Sequence, residues 1–333
     1  MRAGIIGATG YTGVELVKII TKHSLLSLNV ITSESYAGQK FSDIYPALLG
    51  ICDMVLEENN LDTISNKADV FFLCLPHKTS MDTALYLYNK GKIVIDLSAD
   101  FRIKDKSLYE AAYNVEHTAS HLLEKAVYGQ AEIFTEQLKK TSLVACAGCY
   151  PTSIITPLFP LLENNIIDDN TFIIADSKSG VSGAGRKPTL TNIFCEVNED
   201  LKPYGIFSHR HNVEIDFILS TAKDNTHITF TPHLIPVNRG ILSTIYFKTS
   251  ADERTIKETI QNKYKDRFFV RVKNSVPAIR YVANTNFIDI AVFKNNNTAI
   301  IVSAIDNLLK GASAQAVQCF NIMQNIDEKE GLL

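Results

Sequence analysis

The chain has 333 residues, 46% of them hydrophobic and 21% charged, with a net charge of -3. This is the composition of a soluble globular protein too long for one typical core, so two domains are expected. No lysine- or arginine-rich run points to nucleic acid or a membrane surface, no apolar segment reaches the ~20 residues that span a bilayer, and the six cysteines are too few for a disulfide scaffold.

Arg2–Ile6 reads as a short apolar strand that starts the chain at once, leaving no signal peptide. With the cysteine usage this predicts a reducing cytoplasm. Gly7-Ala8-Thr9-Gly10-Tyr11-Thr12-Gly13 follows, then a helical pattern from Val14 to Ile20. Glycines between a strand and a helix allow a tight turn, let the backbone approach a pyrophosphate and aim the helix N-terminus at it, so the loop predicts dinucleotide binding. Leu28–Thr32 is a second strand, ending at Ser33-Glu34-Ser35. Glu34 there would suit the ribose 2′-hydroxyl of NAD; Ser33 and Ser35, with Lys40 nearby, would suit a 2′-phosphate.

Val70–Leu75 and Ile93–Leu97 are continuous apolar runs, as buried parallel strands should be, with a helix expected from Ser80 to Lys90 and ending at Gly91. This alternation predicts an α/β, Rossmann-type doubly wound sheet. Arg102, in the segment after the fourth strand, is a bidentate anion ligand by chemistry or a surface ion pair with Asp100 or Asp105.

Leu143–Ala145 ends a further strand, and Cys146-Ala147-Gly148-Cys149-Tyr150-Pro151-Thr152 leads into an apolar helix bent by Pro157 and Pro160. Pro151 suits the first turn of that helix. Cys149 would then feel the positive end of the helix dipole, which favours the reactive thiolate; the alternative is an inert core cysteine. Beyond it the pattern changes. Strands at 172–177, 227–230, 240–247, 287–293 and 298–304 predict an α+β domain with a large, mostly antiparallel sheet, covered by helices at 213–222 and 253–264. Asn295-Asn296-Asn297 reads as a hairpin turn. The amphipathic run 312–323 is a helix returning to the first domain. The expected division is 1–148 with 312–333 for the dinucleotide domain and 149–311 for the second.

Ser179–Pro188 is a second glycine-rich loop whose Arg186 and Lys187 could close over an anionic substrate. His209-Arg210-His211 precedes a helix with Glu214; either histidine could serve a thiolate as acid/base. His-x-His is also a metal-ligand spacing, but no cysteine or carboxylate cluster completes a site nearby in sequence, so no metal is expected.

Together these motifs resemble the N-acetyl-gamma-glutamyl-phosphate reductases of the aspartate-semialdehyde dehydrogenase group. The resemblance runs nearly end to end: GATGYTG at 7–13, CLPH at 74–77, DLSADFR at 96–102, VYG at 127–129, GCYPT at 148–152, KSGVSGAGRKPT at 178–189, HRHNVEI at 209–215, PHLIPVNRGIL at 232–242 and DNLLKGASAQAVQ at 306–318. It implies NADPH-dependent reduction of an acyl phosphate to a semialdehyde with release of phosphate. Carried over by motif, Cys149 is the nucleophile that forms a thioester, His209 the acid/base and His211 a substrate holder. The NADP site would draw on Gly7, Thr9, Gly10, Tyr11, Thr12, Gly13, Ser33, Ser35, Leu75, Pro76, Ser179 and Gly180. The substrate site would draw on Arg102, Arg186, Lys187, Arg210 and Glu214. A homodimer or homotetramer is implied, formed through the second domain.

The chain departs from the family pattern at Cys146-Ala147, where Asn-Pro is usual, and at Gln130-Ala131-Glu132, where Leu-Pro-Glu is usual. The first change creates Cys-x-x-Cys, the basis of a rival reading as a thiol–disulfide oxidoreductase. Two further rivals are a reductase of the longer aminoadipyl phosphate and a catalytically inactive dinucleotide sensor.

Overall fold

The apolar runs of the first half pair into one parallel sheet. In the computed structural model, which describes residues 1–333, β1 (Arg2–Ile6), β2 (Ser27–Ile31), β3 (Val70–Leu73), β4 (Ile93–Asp96), β5 (Val127–Gly129) and β6 (Leu143–Cys146) lie in the order β2-β1-β3-β4-β6-β5. Every neighbouring pair is parallel. All residues of β3 and β6 are buried, as strands covered on both faces require. The strand order reverses beside β1, so the carboxyl ends of β1 and β3 flank the crevice where such sheets take their ligands. This sheet belongs to a unit of Met1–Ala147 with Ala312–Leu333; Gly148–Gly311 form a second unit.

The C-terminal helix (Ala314–Met323) packs on the helix Tyr11–Ile20 and on β5 and β6. It differs from the expected amphipathic helix: every residue is buried. Its amides are accommodated by bonding: Gln318 Nε2 donates to Glu132 Oε1 at 3.0 Å, and Asn321 Oδ1 lies 2.9 Å from His23 Nε2. The expected helix after β3 runs from Met81 to Asn89, and Gly91 beyond it takes a positive φ of 70°.

In the second unit, β7 (Ile173–Gly180), β8 (Lys202–Pro203), β9 (Ile228–Ile235), β10 (Ile241–Lys248), β11 (Val270–Lys273), β12 (Ile288–Asn295) and β13 (Thr298–Ile305) form a sheet ordered β11-β12-β13-β10-β7-β9-β8. Four pairings are antiparallel and two, β7/β9 and β11/β12, are parallel. The β7–β9 pair is parallel because the chain between them crosses over through the helix Arg210–Leu219. The β12–β13 hairpin turns at Asn296, whose φ of 50° is left-handed.

The helix Cys149–Glu163 is the centre of this unit, with every residue from Tyr150 to Leu162 buried. It packs against β10, β13 and the helices Arg210–Leu219 and Glu253–Lys263. Pro157 and Pro160 stand inside it. Each lacks the N–H that would bond the carbonyl four residues earlier. Both carbonyls have substitutes: Ser303 Oγ donates to Ser153 O at 2.6 Å, and the Tyr264 hydroxyl donates to Thr156 O at 2.7 Å. The helix therefore continues across both prolines. Tyr264→Phe should leave the Thr156 carbonyl buried without that donor and cost about 1–3 kcal/mol. Urea unfolding should show a lower midpoint at unchanged slope.

Candidate active site

Gly148 is extended (φ -68°, ψ 158°) and caps the helix that Cys149 begins. Cys149 is thus the first helical residue, as its sequence context predicts, in the positive field of the helix terminus that favours thiolate. The turn is fixed from across the unit. Glu214, fully buried, accepts the Gly148 N–H through Oε1 at 2.9 Å. The carboxylate thus anchors the backbone turn that leads into Cys149.

His209 lies just outside the helix Arg210–Leu219 and caps it, its Nδ1 accepting the His211 N–H at 3.1 Å. The helix therefore starts at Arg210 rather than at the expected Val213. With Nδ1 accepting, a neutral His209 carries its proton on Nε2. Aromatic rings surround the imidazole, with centroids at 5.8 Å for Tyr150, 5.3 Å for Tyr204, 5.5 Å for Phe230 and 4.9 Å for His211. Burial, followed by the adjacent Arg210 cation, pushes the His209 pKa down to about 4. The ring is neutral at physiological pH. Because the unfolded chain takes up this proton first, the group weakens the fold as pH falls from about 6.5 towards 4. An NMR titration should find His209 flat between pH 5.5 and 8, and Arg210→Ala should raise its midpoint. A midpoint near 6.5 in the wild type would contradict this environment.

Sequence reading missed Tyr150 and Tyr204. The Tyr204 hydroxyl donates to that of Tyr150 at 3.3 Å, and Tyr150 donates to the His233 carbonyl at 3.1 Å. Gly205, at a positive φ of 56°, makes the turn that returns the chain to His209. That glycine, four residues before the histidine, was the available signal.

Arg102 is not a surface ion pair. It is buried, and its Nε donates to Cys146 O at 2.7 Å while a terminal nitrogen donates to Leu97 O at 2.9 Å, tying the ends of β4 and β6. Arg186, Lys187 and Arg210 are exposed. Ser179 and Gly180 end β7 rather than lying in the loop; the Ser179 hydroxyl donates to Gly180 O, and a side chain at Gly180 would meet Asn238 O at 2.6 Å.

In the parallel unit, Gly7 turns with φ 85° against Cys74, whose carbonyl would lie 2.6 Å from any Cβ there, and Gly13 meets Ala8 at 2.5 Å in the same sense. Over Gly10 a Cβ would meet nothing nearer than 3.7 Å, so the N-terminus of the Tyr11–Ile20 helix stands open at its cap, with no side-chain bond there. That is the shape and polarity a pyrophosphate needs. Ser33 is buried with its hydroxyl 3.0 Å from that of Thr9, whereas Glu34, Ser35 and Lys40 are exposed. Leu75 and Pro76 lie on a loop clamped by buried carboxylates. Asp100 accepts the Lys78 and Ser80 N–H groups at 2.8 and 3.1 Å, and Asp96 accepts the Ser80 hydroxyl at 2.7 Å. The clamp holds Lys78 at a positive φ of 76°. Burial, then the neighbouring Asp100, raises the Asp96 pKa to about 6. Burial likewise pushes the Cys74 thiol up to about 12, which leaves it unreactive.

None of the six cysteines is in a disulfide, and Cys146 points its sulfur at Ala312 O, 3.6 Å away. No three or more His, Cys, Asp or Glu side chains gather as a metal site would require, and no helix is long and apolar enough to cross a membrane.

A dinucleotide crevice in one unit and a helix-borne cysteine with a neutral histidine in the other define an oxidoreductase of the semialdehyde dehydrogenase class. Residues 2–141 match the semialdehyde dehydrogenase NAD binding domain, and residues 149–307 match the semialdehyde dehydrogenase dimerisation domain. Two solved structures share the fold at low identity: aspartate semialdehyde dehydrogenase II from Vibrio cholerae (14% identity, TM-score 0.73) and aspartate semialdehyde dehydrogenase with NADP from Candida albicans (15%, 0.72), each covering 97% of this chain and 98% of its own. The N-acetyl-gamma-glutamyl-phosphate reductases of Desulforapulum autotrophicum and Pelotomaculum thermopropionicum are each 48% identical over all of this chain and over 98% and 97% of their own lengths. The chain belongs to the N-acetyl-gamma-glutamyl-phosphate reductase family.

Proposed function

We propose that the chain reduces N-acetyl-gamma-glutamyl phosphate to N-acetyl-glutamate semialdehyde, releasing phosphate, as a step of arginine biosynthesis. The observation that carries this reading is Cys149 at the first position of a buried helix, its turn anchored by Glu214, in the same unit as a neutral His209. Full-length likeness to reductases of that name supports the substrate.

Cys149 thiolate attacks the carbonyl carbon of the acyl phosphate. The carbon–oxygen bond to phosphate breaks, phosphate leaves with the electron pair, and a thioester remains on Cys149. NADPH, when bound, supplies the hydride that reduces the thioester carbon. His209 keeps its proton and donates a hydrogen bond from Nε2–H to the oxygen on that carbon, stabilising the negative charge of the thiohemiacetal anion on Cys149. The oxygen then re-forms its double bond to carbon as the carbon–sulfur bond breaks, the aldehyde leaves and the thiolate returns. His211 and the exposed Arg186, Lys187 and Arg210 are assigned to the substrate's anionic groups. Gly7, Thr9, Gly10, Tyr11, Thr12 and Gly13 are assigned to the pyrophosphate of NADPH, Ser33 and Ser35 to its 2′-phosphate end, and Leu75, Pro76, Ser179 and Gly180 to its nicotinamide end.

We assign the face of the seven-stranded sheet that carries Ile174, Asp176 and Lys178 to a second copy of the chain, in a homodimer or homotetramer. These residues alternate with buried Ile173, Ala175 and Ser177, and Ile174 is 40% exposed. Six cysteines with no disulfide suit a reducing compartment, and the cytoplasm is the assigned location. The test is an assay of the reverse direction. N-acetyl-glutamate semialdehyde should sustain NADP reduction over many turnovers only when phosphate is supplied, faster than with NAD and faster than for the aminoadipyl homologue. Absence of phosphate-dependent turnover in folded protein would refute the reading.

A further inference from the structure

We propose that Gly311 is a positioning residue for Cys149, set against the nucleophile by a π-helical turn. The inference rests on the reading of Cys149 as nucleophile. Residues Leu309–Ser313 form this turn between β13 and the C-terminal helix. Its defining bond runs from Gly311 N–H to the Asp306 carbonyl at 2.9 Å, five residues back. Asp306 also builds the start of the turn. It is fully buried; its Oδ1 accepts the Leu308 and Leu309 N–H groups at 2.8 and 3.0 Å, its Oδ2 accepts the Asn284 N–H at 2.8 Å, and Arg239 stands 3.5 Å away as counter-ion.

The turn brings the Gly311 backbone into contact with the nucleophile itself. A Cβ on Gly311 would lie 2.7 Å from Cys149 Cβ, 3.1 Å from its Cα and 3.4 Å from Asp306 O. Gly311 is absent from the residues with positive φ, so space alone, and not backbone conformation, demands glycine here. The crowded atom is the carbon that bears the sulfur. A push there moves the sulfur relative to the carbonyl it must attack, and a displacement of about 1 Å at a reacting atom costs on the order of 10²-fold in rate. Lys310, fully buried with Nζ 5.9 Å from the Phe269 ring centre, leaves the turn little freedom to retreat.

Gly311→Ala should lower kcat about 10²-fold with KM for the acyl phosphate and Kd for NADPH each within about threefold of wild type, and should change the rate at which iodoacetamide alkylates Cys149. A variant that merely unfolds would lose active molecules without changing the alkylation rate of those that remain folded. Folded Gly311→Ala with wild-type kcat and alkylation rate would overturn the proposal. If Gly311→Ala does not fold, Asp306→Asn decides: it keeps the number of heavy atoms but weakens the turn, and kcat should fall about tenfold at constant KM, whereas wild-type kcat would overturn the proposal. Cys149→Ala is run beside them. If it retains turnover, the nucleophile reading fails; if it is inactive while Gly311→Ala is normal, only the positioning role fails.

Discussion

Cys149→Ala should lower phosphate-dependent turnover by about 10⁴-fold or more while leaving NADPH affinity within about threefold. In the proposed route the Cys149 sulfur carries the acyl group, so removing it closes the two-step path through a thioester. The second unit's other cysteine, Cys195, is exposed on a four-residue helix, which lacks the long buried helix that Cys149 begins. Cys149→Ser should be almost as inactive, because a hydroxyl at the same helix terminus remains protonated where a thiol ionises. Neither change should move stability by more than about 1 kcal/mol, since the side chain is only half-buried at the start of its helix. Initial rates, NADPH titration and urea unfolding on the same preparations separate these effects.

Glu214→Ala should be the second most damaging change, lowering kcat about 10²-fold and costing about 1–3 kcal/mol of stability. The carboxylate is fully buried and accepts the Gly148 N–H at 2.9 Å. Removing it leaves that N–H without its partner and frees the one backbone turn that sets the Cys149 direction. Glu214→Gln retains an acceptor oxygen at the same reach and should recover most of the lost rate. Equal losses in both variants would show that the charge, not the bond to Gly148, is the requirement.

Much of this was legible because it is local. Continuous apolar runs gave parallel strands, Gly91 marked a helix end, and Pro151 fixed the helix start that puts Cys149 in the dipole. What escaped depends on distant partners. The burial of Arg102 was not legible because partners that hold it include main-chain carbonyls at Leu97 and Cys146, which no side-chain pattern reveals. Glu214 was visible one turn into the HRH helix, but its partner lies 66 residues away. The C-terminal helix looked amphipathic because Gln318 and Asn321 are polar; they are buried because their partners, Glu132 and His23, are supplied by the parallel unit. The π turn left no trace in hydropathy, since it changes one hydrogen bond from four residues back to five.

The central claim is that the acyl group passes through Cys149, and a single-turnover experiment tests it most directly. Enzyme mixed with N-acetyl-glutamate semialdehyde and NADP, without phosphate, should form NADPH in a burst of one per active cysteine and then stop. Intact-mass and peptide analysis should find the N-acetylglutamyl group on Cys149, and added phosphate should discharge it and restart turnover. No burst, or an acyl group on any residue other than Cys149, would contradict the account.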